Sequence, residues 1–419
     1  MSVRELARLA PLLAVYLAAL AFFPAHADDE AGYRELAERI THGTYVTGDD
    51  DALLDADPAS PDLWFGPGLP LVLAPLAAVD APIEVFRLSG PVVLFGAMLL
   101  LHVLARDRWG PRTAIVSTYA VGLYPPFWPL LSNVHSEPLA VLCVAAAMFG
   151  LARHLAKPST WSFALAAGGL AGLALTRVAY GWVLTAMLLG ALVWWVLRRG
   201  RVAARVVAVT AVALVLCLPW LAYTYAKTDR PFVWGNSGAL SLYWMASPYP
   251  GDAGDWRQAN DVFTDPRLAP HRPFFASLRG LPLAEQNERI ERQAVENIVN
   301  HPLAYVGNVG ANLSRMLLNR PYSDSAWKAN DLLYASSGIA LVIAAVFAAV
   351  VLVPRRAGLP PEAGPFACLA VVAFLTHLLV AAYPRMLVPI VPLVGWLATL
   401  AAVRAGLARG PDQPPVRTT

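Results

Sequence analysis

Apolar stretches long enough to cross a bilayer recur along this chain, and no other feature constrains its fold as strongly. A membrane-spanning helix needs about 20 predominantly apolar residues, with a range of roughly 17–25. Ten segments qualify, near 6–23, 83–105, 113–131, 138–155, 160–177, 179–197, 203–225, 332–353, 364–382 and 386–403. Hydrophobic residues make up 57% of the 419 and charged residues 15%, against roughly 45–50% and about 25% in soluble domains. The sequence therefore predicts an all-α polytopic membrane protein. Another apolar run, Pro67 to Asp80, has only 14 residues and contains Pro67, Pro70 and Pro75. An interfacial or re-entrant segment suits it better than a span.

Charge fixes the expected orientation. With ten spans and a cytoplasmic N-terminus, the inside segments hold 16 of the 32 basic residues, in clusters such as Arg106/Arg108/Arg112, Arg198/Arg199/Arg201/Arg205 and Arg355/Arg356. The two short outside connections carry only Arg177 and Arg385, as the positive-inside rule requires. If residues 67–80 spanned, every later loop would invert and 14 of those 16 basic residues would face outward. Only Glu5, Asp107, Glu362 and Asp412 of the 29 acids sit inside, so carboxylate chemistry belongs to the outer face. A net charge of +3 with arginines scattered between apolar segments gives no basic face for nucleic acid. Cys143, Cys217 and Cys368 all lie in apolar runs and read as packing residues.

The expected organisation is a first helix to residue 23, an outer loop region over 24–82, helices two to seven over 83–226, a second outer region over 227–330, helices eight to ten over 331–404 and a cytoplasmic tail over 405–419. Arg4, Arg8, the run Leu9–Phe23 and Ala25-His26-Ala27 match a cleavable signal peptide. They equally fit a retained span that ends at Pro24. Retention is favoured because the remaining spans need no separate secretion signal, and either way Asp28, Asp29 and Glu30 emerge on the outer surface. Residues 29–43 read as a surface helix. In the second outer region Ile290, Ala294 and Ile298 recur at helical spacing, and Pro302 suits the first position of another helix.

The motifs "DDEAGYRELAERITHG", "GPGLPLVLAPL", "NVHSEPLAVL", "GGLAGLALTR", "LPWLAYTYAKTDRPFVWGNSGALSLYWMASP" and "YPRMLVPIVPL" follow one another in that order. In this order, and over almost the whole length, the chain resembles the GT-C superfamily of membrane glycosyltransferases, in particular the bacterial relatives of protein O-mannosyltransferases and the lipid A aminoarabinose transferase. The resemblance implies a GT-C-like bundle of about ten transmembrane helices with two extracytoplasmic loop regions containing short amphipathic helices. It further implies an inverting hexosyl- or pentosyltransferase of the cell membrane. Such an enzyme moves a sugar from a polyprenyl-phosphate carrier to a hydroxyl of a lipid, glycan or protein acceptor on the extracytoplasmic side. It requires no cofactor and leaves room for a divalent cation. The chain itself shows no metal motif of convincing spacing.

An inverting displacement needs a base for the acceptor proton. Asp29, four residues before Tyr33 as in the superfamily's D-x-x-x-Y pattern, is the expected base, with Asp28 as the alternative. The same acids also suit the start of a helix. The leaving group is already a phosphate, so cations are expected rather than a second carboxylic acid. Arg177 and Arg385, each the sole basic residue of its connection, are assigned to it; the competing reading is interfacial snorkelling. Glu137 follows Ser136 and precedes Pro138, a good helix start, at the place where the superfamily carries an acid that holds donor or acceptor. His135 could hydrogen-bond a sugar or simply be solvated. Arg87 in "VFRLSG" could bind phosphate or pair with Glu84. Many relatives carry a basic residue before Pro67-Gly68, where this chain has Trp64, Phe65 and Gly66.

Asp49, Asp50, Asp51, Asp55, Asp57 and Asp62 lack the glycine and glutamate of an EF-hand and read as a solvated loop. Tyr243, Trp244, Tyr249 and Trp256 read as an interfacial belt or a sugar-stacking platform. Two other classes fit a chain of this kind, a lipid-linked-sugar flippase and a non-catalytic envelope-assembly protein. A transporter would be expected to bury ionisable groups near the bilayer midplane, and these spans carry almost none.

Overall fold

In the computed structural model, residues 2–23, 28–45, 63–323 and 329–408 are described, the side chains of 28, 329 and 330 excepted. Ala25-His26-Ala27, the acidic loop from Asp49 to Asp62 and the final residues of the tail lie outside the described residues.

The chain is helical throughout the membrane part. Helix α1 (Val3–Phe22) begins with a capping box in which Ser2 and Glu5 satisfy each other's backbone N–H groups. It is followed by α2 (Asp28–Thr41) and α3 (Gly68–Ala77), so the expected surface helix is present and the Pro67–Asp80 run is a ten-residue helix rather than a span. The long α4 (Ile83–Trp109) stops at Gly110, whose φ of 83° lies in the region open to glycine. Pro111 then occupies the first turn of α5 (Pro111–Gly122). Next come α6 (Glu137–Ala156), α7 (Thr160–Thr176), α8 (Ala179–Arg198), α9 (Arg201–Leu216) and α10 (Leu218–Thr228).

Residues 229–323 contain α11 (Ser237–Met245), α12 (Asp261–Thr264), α13 (Arg272–Ala276), α14 (Leu283–Asn300) and α15 (Pro302–Leu318). The chain closes with α16 (Ala329–Leu352), α17 (Ala363–Leu378) and α18 (Val391–Arg404).

Six helices among the described residues are long and apolar enough to span, seven if the pair α9 and α10, bent by 44°, counts as one. The protein is thus a multi-pass membrane protein, and among the described residues three of the ten expected spans are not single helices of that length. The third breaks after Gly122 into a proline-rich 3₁₀ segment, Pro125–Leu131, because successive prolines remove helical N–H donors. The fifth and ninth are α7 and α17, shorter apolar helices of 17 and 16 residues.

Close helix packing organises the bundle. A Cβ on Gly150 of α6 would fall 2.4 Å from the backbone nitrogen of Ala166 on α7, and one on Gly169 would fall 2.6 Å from that of Ala147. Small residues at these crossings let two backbones touch where lipid supplies no hydrophobic drive. Cys217 is buried and Cys143 partly so, but Cys368 is exposed, contrary to its expected packing role. It shares a helix face with Val371 and Leu375, both exposed, and a side chain facing lipid need not pack on protein.

The stretch 229–323 has its own core. Tyr243 and Trp244 are buried there against Phe274, Phe275 and His271, so neither is a belt or an open platform. Trp256 pairs with Trp64 at 5.9 Å, and Tyr249 alone of the four stays open, at 41% exposure. The region is pinned to the bundle at Trp234, whose indole lies so close to Gly181 of α8 that a Cβ there would come within 2.0 Å of it.

Candidate active site

Five elements meet at one end of the bundle: the start of α2, the start of α6, the turn between α7 and α8, the 3₁₀ segment Pro125–Leu131 and a second 3₁₀ segment, Pro384–Ile390. Four of them deliver one charged side chain each. Asp29 lies in the first turn of α2, Glu137 is the first residue of α6, Arg177 sits between α7 and α8 in extended conformation, and Arg385 follows Pro384.

The four groups form one ion-pair cluster. Arg385 Nη1 donates to Asp29 Oδ2 at 2.8 Å, and its Nε lies 3.8 Å from Glu137 Oε1. Arg177 Nη1 donates to that same Glu137 oxygen at 2.6 Å and to Ser136 Oγ at 3.2 Å. Glu137 is 1% exposed as a side chain, and Arg385 is 35%. The second oxygen of Glu137, though buried, has no hydrogen-bond partner among the described residues. An ionised carboxylate seldom leaves a buried oxygen unmatched unless something else is to fill the place.

His135 completes the group. Its Nδ1 stands 3.8 Å from Asp29 Oδ2 and has no hydrogen-bond partner among the described residues, so the ring is packed beside the carboxylate rather than solvated. Burial by itself would raise the Asp29 carboxyl, but His135 and Arg385 outweigh it and hold the group well below the ordinary carboxylate range. Tyr33, one turn along α2, is buried and lies against Phe65 with ring centroids 4.4 Å apart. Burial, and then the negative charges of Asp29 and Glu137, push its hydroxyl upward, keeping it protonated as a donor. The side chain of Asp28 lies outside the described residues.

Arg87 belongs to a neighbouring pair. It binds Glu30 bidentately at 2.7 and 2.8 Å, not Glu84, and Glu30 also accepts the N–H of Val134 at 3.1 Å. The pair braces the loop immediately before His135. Sequence reasoning placed Glu30 among the acids but gave it no role, and its partner, 57 residues away, cannot be read from local spacing. Ser136 likewise reads in the sequence only as a helix start. Its hydroxyl makes no capping bond and accepts from Arg177 instead.

Two glycines set the position of Arg177. A Cβ on Gly66 would lie 2.2 Å from the carbonyl oxygen of Leu175, and one on Gly68 would lie 2.4 Å from Thr176 Oγ1. The start of α3 therefore presses directly on the last residues of α7. Trp64 and Phe65 are engaged with Trp256 and Tyr33.

On the other side, Asn312 and Arg315 of α15 hold the backbone leading to Arg385. Asn312 Nδ2 donates to the carbonyl of Val380 at 2.8 Å and its Oδ1 accepts from Ala382 N at 3.0 Å. Arg315 donates to the carbonyls of Ala382, Gly254 and Pro321 at 3.2, 2.7 and 3.0 Å.

Among the described residues no group of three or more His, Cys, Asp or Glu side chains is arranged to hold a metal ion. The two site carboxylates instead face arginines.

No protein-family model and no curated protein matches the chain. Solved structures do. The archaeal oligosaccharyltransferase AglB from Archaeoglobus fulgidus, in complex with an inhibitory peptide and a dolichol-phosphate, superposes with a TM-score of 0.53 at 12% identity, covering 95% of this chain and 50% of that one. ArnT from Cupriavidus metallidurans, bound to undecaprenyl phosphate, gives 0.42 at 14% identity over 96% and 78%. The chain spans about half the length of AglB. The superposition on AglB shows a shared fold over almost the whole of this chain.

Proposed function

We propose that the protein is an inverting glycosyltransferase that takes a sugar from a polyprenyl phosphate and places it on an acceptor hydroxyl at the extracytoplasmic face of the cell membrane. The observation that carries this reading is the cluster of Asp29, Glu137, Arg177 and Arg385, drawn from four distant parts of the chain. Asp29 takes the proton of the acceptor hydroxyl. The acceptor oxygen bonds to the anomeric carbon, and the bond from that carbon to the phosphate oxygen breaks with its electron pair leaving on the polyprenyl phosphate. Guanidinium groups stabilise the charge that develops there.

At rest two carboxylates balance two arginines, so an incoming phosphate must draw an arginine away. Arg385 is the more exposed of the two and turns to the phosphate, which frees an oxygen of Asp29 for the acceptor. Arg177 stays locked to Glu137. His135 and Tyr33 present hydrogen-bonding groups to the sugar.

The test is to incubate reconstituted protein with a panel of polyprenyl-phosphate hexoses and pentoses and follow release of the free lipid phosphate. Asp29→Asn should reduce release by roughly 10²–10⁴-fold while donor binding persists. Movement of the lipid-linked sugar between leaflets, undiminished by Asp29→Asn and without release, would identify a flippase instead.

A further inference from the structure

Helix α15 is folded inside out. Its polar side chains Asn308, Asn312 and Arg315 are 7%, 0% and 0% exposed, whereas Leu303, Val306 and Leu313 are 86%, 64% and 37% exposed. The inward face is fully engaged with protein. Asn308 donates to the carbonyls of Met245 and Ser247 at 3.0 and 2.9 Å, and Asn312 and Arg315 grip the segments already described. The outward face bears no charge, since Arg315 is the one charged residue between Pro302 and Leu318. A helix in water shows the opposite arrangement.

The contrast with α14 is direct. There Ile290 and Ala294 point inward and the ion pairs Glu285–Arg289 and Glu288–Arg292 face outward. The outward surface turns apolar only in its last turns, at Val295 and Val299. The apolar face also continues a second exposed apolar row. Val371, Leu375 and Leu379 form the exposed row of α17, and Tyr305 of α15 donates to the Leu379 carbonyl at 2.9 Å.

We propose that the outward face of α15 is a lipid-contact surface, bedded among the acyl chains of the leaflet that the end of α17 reaches. Residues 227–330 are then not a wholly aqueous lid. The helix that supports the Arg385 loop rests in the membrane on one side and holds the outer region on the other.

The full chain in phospholipid nanodiscs tests this directly, with benzoylphenylalanine introduced at Leu303 or at Val306, and at Glu288 as the reference. After irradiation, intact mass measurement should show a shift of one phospholipid for the 303 and 306 proteins and none for 288. Two positions are used so that a poorly folded variant, recognised by its lowered melting temperature, does not decide the matter. Absence of a lipid adduct at both positions overturns the proposal. So does a crosslink between two protein chains, which would make this face a contact between copies.

Discussion

Arg177 and Arg385 converge on a single oxygen of Glu137, at 2.6 and 3.8 Å, while the other oxygen of that buried carboxylate goes unmatched. Removing one member of a buried ion pair leaves an uncompensated charge and costs about 3–5 kcal/mol. Glu137→Ala and Arg177→Ala should each destabilise the solubilised protein by about that amount. The double variant should lose clearly less than the two combined, as read by thermal unfolding across the four-member cycle. Additive losses would show that the two side chains do not depend on each other.

Asp29 is held ionised by Arg385 and His135 against the upward push of burial. Its contribution to stability is therefore complete above the ordinary aspartate value and fades only as pH falls through the depressed one. In Arg385→Ala the carboxyl should rise by about one to three pH units. A base must be ionised, so the acid limb of kcat/KM should move to higher pH by a similar interval. A variant that loses rate without moving this limb would place the role of Arg385 on the phosphate alone.

The start of α3 is packed so tightly on Thr176 that a methyl group at residue 68 has nowhere to go. Gly68→Ala should displace the end of α7 and Arg177 with it, destabilise the protein by about 1–3 kcal/mol and raise the KM for donor more than it lowers kcat. Gly238→Ala, where nothing lies within 4 Å of the added carbon, is the matched control and should leave both constants unchanged.

Arg87 touches neither carboxylate of the cluster, yet through Glu30 it anchors the N–H of Val134 beside His135. Arg87→Ala should lower kcat through the loosened histidine and leave the donor KM unchanged. A loss of donor affinity in steady-state kinetics would show that Arg87 meets the phosphate directly.

Much of this site is legible in the sequence because topology and chemistry point to the same few residues. In the topology expected from charge, Arg177 and Arg385 stand out as the lone cations of their connections. Asp29 and Glu137 stand out as acids at helix starts. What the sequence does not reveal is pairing at a distance. Arg87 has Glu84 one turn away on its own helix, and only the fold brings it Glu30. Helix lengths part from the span count for a similar reason, since a hydropathy window passes over Tyr124-Pro125-Pro126 and over the bend at Cys217, where backbone geometry rather than polarity interrupts the helix. The reversed polarity of α15 was hidden too, because periodicity reports that a helix has two faces and not which one meets protein.

Asn312 and Arg315 recognise the approach to Arg385 by its main-chain oxygens and an amide N–H, never by a side chain. Such a grip is indifferent to residue identity. Positions 379–382 can therefore be rewritten, within the limits of size, and the arginine that follows will still arrive at the same address. At this strap the precision rests on two side chains of one helix, and the residues in between are free to drift.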